Sequence, residues 1–163
     1  MKNITLKKAL ILTSVVALGY FLYRKLYKKP FEEVDYDNFS GEDPSTILKE
    51  WKYCFDNKQL DKITNLYSSE ALLVSTFDDI KKGRVQIKDY FKGLFDKEGL
   101  NVEFTSPPHT GKIGDLTIFT GVYIFSYIED GKKESVKARY SILCQKFESG
   151  YKIIKQHSSA FAK

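Results

Sequence analysis

The stretch ARYSILCQKFESGYKIIKQHSSAF, residues 138–161, decides how the rest of the chain is read. Two alternating or continuous apolar runs, 138–147 and 151–161, flank Glu148-Ser149-Gly150, the pattern of a long hairpin of two half-buried strands. Period-2 alternation puts Arg139, Ser141, Leu143 and Phe147 on one face of the first strand. On the second it groups Tyr151, Ile153, Lys155, His157, Ser159 and Phe161. A guanidinium, an imidazole and hydroxyls on largely apolar strands need partners or water, so a wet pocket around Arg139, His157 and Ser159 is expected. An interior arginine needs a carboxylate partner or an anionic ligand, and both stay open for Arg139. His157 is a structural ring bonded to backbone or Ser159, a ligand contact or, if the protein is an enzyme, the general base.

Working outward, the 163 residues hold one domain plus an appendage, and 42% hydrophobic with 15% aromatic content suffices for a core. Formal charge is +5, but its placement matters more. Residues 1–29 carry seven bases and no acid, leaving 19 bases against 21 acids in the remainder. The basic balance belongs to the N-terminus, which argues against a nucleic-acid partner. Cys54 and Cys144 have no metal-binding or redox spacing and read as buried free thiols, which fits a reducing compartment.

Residues 9–23, ALILTSVVALGYFLY, are uncharged and lie between Lys7-Lys8 and Arg24-Lys25. As a helix they cover roughly 22 Å, short of the ~30 Å hydrocarbon core. Leu6, Leu26 and Tyr27 extend the run, and the flanking bases can snorkel. An uncleaved single-pass anchor over 1–29 is the expectation; a signal peptide cut near Ala17-Leu18-Gly19, or a core or surface helix, are the rivals. Basic flanks are nearly balanced and lean slightly toward a cytoplasmic domain. Residues 30–43, PFEEVDYDNFSGED, hold six acids and no base and read as a linker.

The domain is expected over 44–163. Asp43-Pro44 is a helix start, followed by the stripe Ile47, Leu48, Trp51, Cys54, Phe55. Leu60, Ile63, Leu66 and Tyr67 suggest a second short helix, residues 71–77 a buried strand, and Gly83-Arg84 the start of a third helix with Ile87, Phe91, Leu94 and Phe95 on one side. Strands are expected at 102–105, 116–128, 136–147 and 151–161, with Asp130-Gly131 as a hairpin turn.

The residues Arg139, Ser141, Gly150, Tyr151, Ile153, His157, Ser158 and Ser159 resemble the nuclear transport factor 2-like superfamily. Within it they are most similar to the calcium/calmodulin-dependent kinase II association domain and its SnoaL-like bacterial relatives. Gly83, Ile87, Tyr90 and Phe91 match a helix segment of the same family. Many relatives have Trp at the position of Tyr151 and a His-His pair where this chain has Gln156-His157. The resemblance implies an α+β cone, a curved mixed or antiparallel sheet wrapped around about three helices. It also implies that residues of the first two helices face the pocket, so Trp51, Tyr53, Tyr67 and Tyr123, core aromatics by default, join Arg139, His157 and Ser159 as candidate lining.

Two functions follow. One is a membrane-anchored, self-associating binding module with a pocket for a small anion, its interface made by outward Ile, Tyr and Phe of 116–128 and 138–147. The other is a cofactor-free enzyme of the SnoaL type, an isomerase, cyclase or hydrolase acting on a small hydrophobic molecule. With two histidines, no HExxH, no clustered cysteines, no GxSxG and no phosphate-binding glycine loop, neither a metal nor another cofactor is expected. One fold hosts both functional classes, and binding is favoured over catalysis.

Overall fold

The computed structural model describes residues 43–162. The expected anchor at 9–23 and all but the last residue of the acidic linker lie outside the described residues. Among those described, no helix is long and apolar enough to cross a membrane.

The elements run α1 (Thr46–Asp56), α2 (Leu60–Asn65), β1 (Tyr67–Val74), β2 (Lys81–Lys82), α3 (Gly83–Phe95), β3 (Glu98–Phe104), β4 (His109–Ile113), β5 (Leu116–Glu129), β6 (Lys132–Phe147) and β7 (Gly150–Ala160). The sheet order is β2-β1-β7-β6-β5-β3, with β4 also on β5. β1 and β7 are parallel and the other pairs antiparallel, so the sheet is mixed as expected. β5 is long enough to serve two partners on one edge: Tyr123 pairs with Phe104 of β3, and Thr120 with His109 of β4. Register shifts interrupt β1 between Tyr67 and Leu72, β3 between Glu98 and Asn101, and the β6–β7 ladder at Leu143/Cys144. Such irregularities bend strands and increase twist, which lets the sheet curl over its helices.

α1 buries the expected stripe of Ile47, Leu48, Trp51, Cys54 and Phe55. It starts at Thr46, later than Asp43-Pro44 suggests, because the Asp43 carboxylate accepts from the Ser45 N–H (2.8 Å) and holds the preceding turn. α3 buries Ile87, Phe91, Leu94 and Phe95, again the expected stripe. The core is aromatic: the Trp51 ring stacks on Phe55 at 5.1 Å and lies nearly parallel to Tyr123 at 6.2 Å. Truncating such a residue to alanine typically costs about 3–5 kcal/mol. Both cysteines are buried free thiols. The Asp130-Gly131 turn has φ of 52° and 71°, the left-handed pair that a tight two-residue hairpin requires.

Several boundaries differ from the sequence expectation; β6, for one, begins at Lys132 rather than near 136. The strand expected over 71–77 is β1, which begins at Tyr67 and ends at Val74, and the one expected over 102–105 begins at Glu98. β2 and β4 were not expected; β2 has two residues and β4 buries none, so neither leaves an apolar period to read.

Candidate functional site

The sheet presents two faces of different chemistry. On the inner face, α1 delivers Trp51, whose Nε1–H donates to the Tyr67 hydroxyl at 2.9 Å, and that hydroxyl donates in turn to Gln156 Oε1. Burial pushes the Tyr67 phenol far above its ordinary pKa, so it stays neutral and available as a donor. The hydroxyls of Ser158 and Thr76 form a second pair. The buried Tyr123 hydroxyl lies beside Ser158 and Gln156 without a well-formed hydrogen bond, and burial raises its pKa to about 12. Tyr140 also keeps an unpartnered hydroxyl. It packs onto Gly121, where a Cβ would stand 2.7 Å from its oxygen.

These side chains nearly fill the interior. Among the described residues these side chains leave a cavity of about 10 Å³, bordered by Trp51, Tyr90, Tyr123, Gln156 and Ser158. That is room for roughly one water, far from the ~300 Å³ at which small-molecule sites begin. No carboxylate or histidine borders it, so no acid/base pair faces a substrate there. Tyr53 is half-buried at the edge of the core and lines no part of this space.

The outer face carries the other candidates. Arg139 of β6 stands opposite Ser159 of β7, and Ser141 opposite His157, a two-by-two block of donors on one surface. Arg139 and His157 are exposed, and Lys155 follows along β7. The Arg139 guanidinium sits 3.9 Å over the Phe161 ring, with Lys137 Nζ 5.2 Å from the same ring. Among the described residues no carboxylate pairs with Arg139, and His157 makes no side-chain hydrogen bond. Beside the block is an open groove of about 410 Å³ lined by Val74, Ile118, Ser141, Leu143, Lys155 and His157.

The structure therefore splits the expected pocket. Arg139, His157 and Ser159 do come together, but outside; Trp51, Tyr67 and Tyr123 come together inside, with Gln156 and Ser158. On β7 the cause is one residue. Cys144 pairs with Ile153 and Leu143 with Lys155, so Ile154 is an unpaired bulge. Alternation counted from Tyr151 is thrown off by that residue, and Gln156 and Ser158 rather than His157 and Ser159 face the core. Arg139 is thus neither an interior charge nor half of an internal ion pair, and His157 is not a buried structural ring. On β5 and β6, Ile118, Ile124, Ile128 and Phe147 face outward, while Phe119, Tyr123, Phe125 and Tyr140 belong to the core.

Glu50 on α1, which the sequence reading passed over, has one carboxylate oxygen buried without a partner. Burial holds its pKa above the usual carboxylate range, against the opposing pull of Lys152 and Lys62. Lys152 donates to the Asn65 carbonyl at 2.9 Å and is itself shifted down, first by burial and then by Arg84. Among the described residues no three His, Cys, Asp or Glu side chains converge as a metal site would require.

The model of the calcium/calmodulin dependent protein kinase II association domain matches residues 42–162. No curated protein matches the chain. A solved protein from Xanthomonas campestris, described as an association domain of that kind, is 25% identical, with 73% of this chain and 86% of that chain covered at a TM-score of 0.66. A nuclear transport factor 2-like superfamily protein from Salmonella enterica is 18% identical, covering 73% of this chain and 89% of that one, with a TM-score of 0.65. A Novosphingobium aromaticivorans protein described as an aromatic ring hydroxylase is 17% identical, covers 72% and 85%, and has a TM-score of 0.64. The last two speak to fold alone. The matched region makes up most of each of these solved chains.

Proposed function

This chain belongs to the calcium/calmodulin dependent protein kinase II association domain family, and on that premise we propose that its domain is a self-associating binding module. The contact surface is the outer face of the sheet, and the Arg139–Ser141–His157–Ser159 block accepts a small anion there. The observation that carries this reading is an apolar stripe in an unusual place. An antiparallel sheet with one solvated side normally turns polar residues outward. Here Ile118, Val122 and Ile124 of β5, Leu143 of β6 and Val74 of β1 share the outer side, and no described element covers them.

The enzyme alternative, a SnoaL-like isomerase, cyclase or hydrolase, draws on descriptions of distant fold neighbours such as the hydroxylase. The small described cavity, bordered by no carboxylate or histidine, supports binding instead. We further infer from composition that residues 9–23 tether the module to a membrane through the acidic linker 30–43, with the domain on the cytoplasmic side. Arrayed on a membrane, a weak contact between copies gains from high local concentration.

The test is to charge the stripe. Ile118→Asp combined with Leu143→Asp, both on the solvated side, is expected to weaken association at least 100-fold in sedimentation velocity while leaving the circular dichroism spectrum intact. A variant that assembles as the parent does would sink this choice of surface.

A further inference from the structure

The outer face holds a charge problem that self-association alone makes worse. On this side the three central strands place Lys133, Lys137, Arg139 and Lys155 and no carboxylate, while Glu103 of the flanking β3 lies in the row of Ile124 and Lys137. None of the four is in an ion pair among the described residues. When two copies meet face to face, these cations lose water and gain like-charged neighbours. A buried charge without a partner costs several kcal/mol. The apolar stripe favours contact, and the cations oppose it.

The groove on the same face suggests what reconciles them. Its floor is apolar, from Val74, Ile118 and Leu143, and its polar side is Ser141, Lys155 and His157. The register explains the shape: Lys155, Leu143 and Ile118 form one row across β7, β6 and β5, and Val74, His157 and Ser141 the adjacent row. Beyond Ile118 that row meets Gly111 of β4, which presents no side chain, so the apolar end stays open. At about 410 Å³ the groove lies within the ~300–1,000 Å³ range of small-molecule sites. A bare inorganic anion would satisfy the cations but leave the floor wet, and a neutral apolar molecule would do the reverse.

We propose that this groove binds a soluble single-chain carboxylate, its head on Lys155, Ser141 and His157 and its chain along Val74, Leu143 and Ile118, and that binding tightens self-association. The second half rests on the self-association reading above; the first does not. Neutralised cations remove the electrostatic penalty, and the chain adds apolar surface to the stripe. By linkage, a ligand that favours the assembled form is itself held more tightly by it.

The experiment uses a chain beginning at Glu42, with octanoate below its micelle-forming concentration as probe. Octanol and inorganic phosphate serve as the neutral and the chainless controls. Octanoate is expected to lower the dissociation constant of the assembly at least tenfold, with either control changing it less than threefold, and Lys155→Ala is expected to abolish the response. An unchanged assembly with octanoate overturns the proposal, as does phosphate acting equally well. Co-sedimentation with phosphatidylserine vesicles without any octanoate response overturns it too, in favour of a lipid surface. If no assembly forms under any condition, calorimetry with octanoate separates the two claims. Heat that Lys155→Ala removes upholds the groove and leaves only self-association at fault; no heat overturns the groove as well.

Discussion

Tyr67 holds the interior polar groups together, accepting from Trp51 and donating to Gln156. Removing its hydroxyl with Tyr67→Phe keeps the ring but orphans the Trp51 N–H and the Gln156 carbonyl, at a cost of about 1–3 kcal/mol. For a domain of this size that corresponds to a fall of roughly 4–15 °C in the thermal midpoint; a change within about 1 °C would show the chain of bonds to be dispensable. Glu50 gives a pH signature of definite sign. Its pKa is raised in the folded state, so the stability tied to its protonated form is present below the ordinary value of 4.5 and is lost as pH rises through the folded value. Glu50→Gln is therefore expected to gain stability relative to the parent at pH 7 and to gain little at pH 4. The gain is a fraction of the ~1–3 kcal/mol of a fully buried unsatisfied group, because Glu50 is only half-buried. Thermal melts at both pH values check it, and an equal difference at each would contradict it.

Among the elements, the helices were legible because α1 and α3 each bury one unbroken stripe at helical spacing. The hairpin of β6 and β7 was legible as two strands, but not the orientation of the second. Nothing in KIIKQ marks Ile154 as the extra residue: both isoleucines suit a strand, and a bulge depends on curvature that only the assembled sheet imposes. Residue types were therefore identified correctly while the face was not, which is why Gln156 and Ser158 were overlooked for the core. Labelling tests the bulge directly. Burial raises the pKa of Cys54 to about 11 and of Cys144 to about 12, so both thiols stay protonated and shielded at pH 8. On that silent background His157→Cys is expected to react with a maleimide at least 100-fold faster than Ser158→Cys. Similar rates, or the reverse order, would mean that β7 runs without the bulge.

At the scale of the molecule, fold and family follow from the same features, while function depends on which face of the sheet is used. The resemblance pointed to the cone interior as the place for a ligand. In this chain large aromatic side chains, Trp51 and Tyr123 foremost, occupy that interior, and exposed polar groups and an apolar stripe share the outside. Composition could count the aromatics but not reveal how completely they fill the cone, since filling depends on Tyr140 lying against Gly121 and Trp51 against Tyr123. On the function proposed above, activity lies on a surface between copies rather than in a cavity within one. The most direct test is the solution mass of the domain from Glu42 onward, measured by light scattering coupled to size exclusion from about 1 to 200 µM. The account predicts a mass that rises with concentration to a defined multiple of the monomer. A monomer at every concentration would contradict it.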